Sequence, residues 1–80
     1  MKIKAVYPVI DLAATGRNIT RLRKERGYSV HDLQEYFGFA NPQAIYRWQE
    51  GRCVPSTDNL FALSVALEVS INEILVPCAA

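Results

Sequence analysis

The sequence predicts an all-α chain: five short helices behind an irregular or extended arm. Three observations predict it. Apolar residues recur at spacings of three and four along most of the chain, helix-opening residues stand where each rhythm begins, and glycine or proline stands where it ends. The arm, residues 1–10, is the exception. Ile3, Ala5 and Tyr7 alternate with Lys2, Lys4 and Val6, as in an extended segment, and Pro8 would confine such a segment to an edge. No partner strand is visible in the sequence, which leaves packing on the helices, pairing with another subunit, or a free tail. Val6, Tyr7, Val9 and Ile10 are apolar enough that packing on the core is the expectation.

Helix 1 is expected over 11–26, with Asp11 and Thr15 as competing caps and Gly16 weakening the turn between them. Ile19 and Leu22 face inward, while Arg17, Arg21 and Lys24 share an outer face. Helix 2 is expected over 29–37. Ser29 opens it, Asp32 three residues on is a short-armed capping-box acid, and Val30, Leu33 and Phe37 give the apolar rhythm. Gly38 takes the left-handed conformation that ends a helix, and Phe39 packs back on the last turn. Helix 3 follows over 42–50, capped by Asn41, started by Pro42 and ended by Gly51.

Ser56 or Thr57 opens helix 4, over 57–68. Its positions Leu60, Leu63, Ala66 and Leu67 repeat at helical spacing, and Phe61 and Val65 widen the stripe enough to imply near-complete burial. Ser70 and Glu73 form a capping box for helix 5, over 70–75, which Pro77 terminates. Burial within one chain is the plain expectation for Val69, Ile74, Leu75 and Val76, with pairing to a second copy as the alternative.

Helix 3 is unusual in its polar face. Ile45 and Trp48 turn inward, which places Gln43, Tyr46, Arg47 and Glu50 together on the other side. Such a face is ordinarily just solvated. It is also the equipment of a major-groove reader, because Gln bonds adenine N6 and N7 together and Arg bonds guanine O6 and N7 together.

Charge distribution bears on the choice. The net charge of +1 is small for a nucleic-acid binder. Residues 17–52, however, hold seven basic against four acidic side chains, whereas residues 53–80 hold only Asp58, Glu68 and Glu73. A domain polarised in this way binds phosphates at one end despite a balanced total. Eighty residues, half of them apolar, suffice for a single domain and one core.

Other chemistry has little support. His31 is the only histidine and has neither a second metal ligand nor a nucleophile beside it in sequence. Cys53 and Cys78 lack metal-ligand spacing and are expected to be reduced thiols. No Gly-rich phosphate loop, bilayer-length apolar run or signal-peptide core appears in the sequence. The expectation is therefore a cytoplasmic, non-enzymatic protein with no metal, cofactor, membrane or evident small-molecule ligand.

From Arg17 to Val76 the chain resembles the Xre family of helix-turn-helix regulators, which includes Cro and the phage repressors. The resemblance is carried by NITRLRKERGYSVHDLQEYFG and by IYRWQEGRCVPSTDNLFALSVALEVSINEILV. It implies a compact five-helix repressor-like fold that binds double-stranded DNA as a homodimer, at least on DNA, with half-sites about 34 Å apart. It further implies base reading by Asn41, Gln43, Tyr46 and Arg47, and phosphate contacts by Ser29, by Arg17 near the start of helix 1, and by Arg52 in the loop after helix 3.

Two departures stand out. FANPQA, between Gly38 and Ile45, is one residue longer than the commonest family spacing, which affects the angle of helix 3. Gln49 stands where many members have a Glu that pairs with the residue at Arg23, so Arg23 is left at most an amide hydrogen bond and more freedom to meet phosphate. A protein-interaction module of the same fold, antitoxin-like or docking a partner, is the alternative function.

Overall fold

The computed structural model describes residues 2–79; positions 1 and 80 of the expected domain lie outside them. Five helices run in order: α1 Leu12–Glu25, α2 Val30–Phe37, α3 Gln43–Gln49, α4 Thr57–Leu67 and α5 Ile71–Ile74. Of the two candidate caps for α1, Asp11 is the one used, its carboxylate accepting from the Ala14 amide at 2.9 Å. Thr15 is buried instead, and its hydroxyl oxygen accepts from the Val76 amide at 2.9 Å. The amphipathic rhythm builds one core, with Ile19 and Leu22 from α1, Leu33 from α2, Ile45 and Trp48 from α3, Leu63 and Leu67 from α4, and Ile74 from α5.

Polar groups fasten the last helix to the first. The Asn18 side-chain amide donates to the carbonyls of Glu73 at 2.6 Å and Ile74 at 3.0 Å, satisfying acceptors at a helix end that has no partners of its own. Beyond α5 the chain turns back along the start of α1. Asp11 donates to the Val76 carbonyl at 2.8 Å and Cys78 to the Val9 carbonyl at 2.7 Å, framing a single antiparallel bridge between Ile10 and Pro77.

Two expectations fail. The arm does not pack on the core: Ile3, Val6, Tyr7 and Val9 are all exposed, and only the stretch from Val9 to Asp11 finds backbone partners. Those partners are residues 76–78, a segment too short to show a strand's alternation in the sequence. The radius of gyration is 13.4 Å, above the about 11.6 Å expected of a compact chain this long, and the longest axis reaches 46 Å. The second failure is α4, which is not nearly all buried. It turns Leu63, Ser64 and Leu67 inward and leaves Phe61 and Val65 exposed. Ser64 can lie inward because its hydroxyl donates to the Phe61 carbonyl at 2.6 Å, so a small polar side chain enters the interior without an unsatisfied group.

Candidate nucleic-acid interface

The local chemistry of α2 fixes its start. The Ser29 hydroxyl accepts from the Asp32 amide at 3.0 Å and the Asp32 carboxylate accepts from the Ser29 amide at 2.8 Å, the reciprocal pair of a capping box. The bond from the Ser29 backbone, then the Ser29 side chain and the nearby His31, hold the Asp32 carboxyl below its ordinary range against a small opposing effect of desolvation. At the other end Gly38 sits at φ 71°, and Phe39 donates back to the Gln34 carbonyl at 3.1 Å. Phe37 and Phe39 stack at 5.0 Å, and each meets the Trp48 ring edge-on, so aromatic packing joins the turn to α3.

The longer turn is closed by Asn41, whose side-chain oxygen accepts from the Gln43 amide at 3.1 Å. Pro42 lies just outside the helix, and α3 begins at Gln43. Asn41 thus accepts from a free amide as expected, but does so from the position before the cap, since Pro42 holds the cap position without a side-chain bond, and this engages the oxygen that an Asn uses to read adenine with both ends of its amide. Gln43, Tyr46, Arg47 and Glu50 are all exposed, while Ile45 and Trp48 are buried, so the face expected to be polar and outward is so. Among the described residues, the side chains of Gln43, Tyr46 and Arg47 make no hydrogen bond or ion pair within the chain.

Close backbone approach sets the position of α3, and the sequence expectation missed it. At Gly16, a methyl group would lie 2.4 Å from the Trp48 carbonyl oxygen and 2.5 Å from that of Gln49. At Gly51, which has φ 77°, it would lie 2.8 Å from the Ala13 Cα. The C-terminal end of α3 thus rests directly on the first turns of α1, as only glycine permits. A glycine inside an otherwise helical pattern was the available signal; it marks a packing contact rather than a weak turn.

Arg23 locks the same junction. Its Nε donates to the Gln49 side-chain oxygen at 3.0 Å and its Nη1 to the Tyr28 carbonyl at 2.8 Å. The amide hydrogen bond expected from Gln49 is present, but the expectation that Arg23 is freer for phosphate fails, because the half-buried guanidinium is committed to two internal acceptors.

The remaining site candidates lie at the edges of this surface. Arg17 is exposed and directly follows Gly16, where α1 meets α3. Arg52 is exposed, and its Nε lies 3.1 Å from a carboxylate oxygen of Glu50. Both members of that pair are open to water, and such pairs contribute about 0–1 kcal/mol, so a phosphate competes for Arg52 at little cost. Ser29 is exposed, with its hydroxyl oxygen engaged by the cap. His31 lies 2.9 Å from Glu35 on the outer side of α2.

Comparison with known proteins places this arrangement. A family model described as Helix-turn-helix matches residues 19–74. An uncharacterized HTH-type transcriptional regulator of Sinorhizobium fredii is 34% identical over 62 residues, spanning 78% of this chain and 79% of the relative. Among solved structures, the restriction-modification controller protein C.AhdI of Aeromonas hydrophila is similar at a TM-score of 0.71 and 25% identity, over 80% of this chain and 96% of that one. The hypothetical transcription factor NHTF of Neisseria shares the fold at a TM-score of 0.71 and 20% identity, over 95% of this chain and 88% of its own. With the helix order, the glycine-ended α2 and the outward polar face of α3 in agreement, the chain belongs to the Xre-like helix-turn-helix family, whose members are DNA-binding transcriptional regulators and not enzymes.

Proposed function

We propose that this protein binds an operator sequence-specifically, as a homodimer, with α3 in the major groove. The observation that carries the proposal is the unpartnered face of Gln43, Tyr46 and Arg47 on a helix whose other side is locked by Ile45, Trp48 and the Gly16 contact. A base-reading helix must be rigid, because bidentate hydrogen bonds tolerate little misplacement. Gln43 and Arg47 are four residues apart, about 6 Å along the helix axis. That is close to two base-pair steps at about 3.4 Å each, so the two reach positions two base pairs apart within one half-site.

In this proposal Gln43, Tyr46 and Arg47 read bases. Asn41 contributes through its free amide NH2, since its oxygen accepts from the Gln43 amide. Arg52, Arg17 and Ser29 meet phosphates, with Arg52 leaving Glu50 to do so. Action on DNA puts the protein in the cytoplasm. No helix among the described residues is long and apolar enough to cross a membrane.

The test is selection of bound duplexes from random sequence, followed by a salt titration. The expected result is an enriched two-fold motif and an affinity that falls steeply with salt. A second function, docking of a protein partner, is favoured by one observation, the exposed Phe61 and Val65 on α4. If selection enriches no motif even at low salt, that second function takes the place of operator binding.

A further inference from the structure

The most exposed of the large apolar side chains gather in two places of opposite charge. One is the arm, where Val6 is 80% and Tyr7 87% exposed and where Lys2 and Lys4 lie. The other is the outer side of α4, where Phe61 is 65% and Val65 59% exposed. Asp58, Phe61 and Val65 follow one another at helical spacing, and Glu68 ends the stripe, so an apolar strip is bracketed by acids. Glu68 is partly answered by Arg26 at 3.2 Å; Asp58 has no ion pair among the described residues.

The dimensions also agree. Extended, residues 3–7 span about 13 Å, with Ile3, Ala5 and Tyr7 on one side and Lys4 and Val6 on the other. The stripe from Asp58 to Glu68 is about 15 Å long. Self-pairing of α4 across a two-fold axis is disfavoured, since an antiparallel arrangement sets Asp58 of one copy against Glu68 of the other.

We propose that the arm of one copy lies along α4 of a second copy, reciprocally, and that this is a dimer contact of the protein. Ile3 and Tyr7 cover Phe61 and Val65, which sets Lys2 and Lys4, both at the Ile3 end of the arm, beside Asp58, their long side chains reaching round the edge of the strip, while Glu68 keeps Arg26. The bridge between Ile10 and Pro77 anchors the root of the arm to its own body, leaving residues 2–8 to cross. The proposal rests on the dimeric function above and supplies its interface.

The test is sedimentation equilibrium of the full chain without DNA. Lys2→Glu with Lys4→Glu is expected to weaken the dimer about tenfold or more, and adding Asp58→Lys to restore most of that loss. Deleting residues 2–8, which spares the Ile10 bridge, should weaken it at least as much. A photo-crosslinking residue at Tyr7, in a mixture of light and heavy chains, should give mixed-isotope products mapped to α4. A wild-type dimer unmoved by the deletion and the charge swaps, or crosslinks confined to one chain, overturns the arm contact while leaving the dimer. A wild type that stays monomeric both alone and on selected DNA overturns both.

Discussion

α3 and α4 are built on the same helical rhythm and end with opposite surfaces. α3 buries Ile45 and Trp48 and shows water a row of polar groups, which is nearly free of cost, because each polar group stays solvated until a base edge replaces the water. α4 buries Leu63, Ser64 and Leu67 and shows water Phe61 and Val65, at a cost of about 25 cal/mol for each Å2 of apolar surface left exposed. The first surface is tied to the body by a backbone contact and an internal arginine. Among the described residues, no element lies over the second. In the proposals above, the polar face is the one that reads and the apolar face the one that a second copy covers.

The contrast between the two helices breaks most decisively at Gly16. An exposed helical Gly→Ala change normally stabilises by about 0.5–1 kcal/mol. Here the added methyl meets two backbone carbonyls of α3 that cannot rotate away, so Gly16→Ala is expected to destabilise by about 3 kcal/mol. A urea titration reads this directly, and a midpoint equal to or above wild type would show that α3 does not rest on α1 as described. Of similar size is the contrast within α4. Leu63→Ala should cost about 2–5 kcal/mol through the cavity it leaves. Phe61→Ala should stay within about 0.5 kcal/mol at concentrations where the chain is monomeric. Equal losses at the two positions would mean that the outer stripe is core after all.

On the reading face the effects are smaller and concern binding. Arg47→Ala is expected to cost about 1–3 kcal/mol of affinity and to relax preference at a single base position. Arg52→Ala should weaken all sequences alike and reduce the salt slope by about one. Binding measured across a set of single-base operator variants separates the two patterns. If Arg47→Ala weakens every sequence equally, Arg47 is a phosphate contact, and the polar face owes its specificity to Gln43 and Tyr46.

The caps are legible in the sequence because they are local. Ser29 with Asp32 and Ser70 with Glu73 each announce a helix start within four residues; the first box forms in both directions, and at the second the Glu73 carboxylate accepts from the Ser70 amide. The inward pair of α3 is legible for the same reason. Phe61 and Val65 are not, because apolar residues surround α4 on most sides and the pattern cannot say which side lacks a neighbour. Gly16 misleads because glycine signals both a loose turn and a close approach, and only a second chain segment tells them apart. The arm misleads because apolar composition says that a segment avoids water, not which surface it avoids water against. The oxygen of Asn41 closes the turn ahead of α3, with Pro42 and not Asn41 at the cap, which is one position away from where the sequence pattern sets it.

The smallest effect tests whether the reading half is held by local chemistry alone. The Asp32 carboxyl is held low chiefly by the backbone bond from Ser29 and next by the Ser29 side chain. A group depressed in the folded state contributes stability that is present above its unfolded value, about 3.9 for Asp. That contribution is lost as pH falls through the lower folded value. Asp32→Asn should therefore differ from wild type by a constant amount above about pH 5 and converge towards it on the acid side. Ser29→Ala should cost about 1 kcal/mol at neutral pH through the lost cap, yet keep most of the acid sensitivity, because the amide of residue 29 still donates to Asp32. Parallel curves for wild type and Asp32→Asn below pH 4 would mean that the carboxylate bond at the start of α2 does not persist in solution. The first turn of α2 would then be held by the Ser29 hydroxyl and the packing of Leu33.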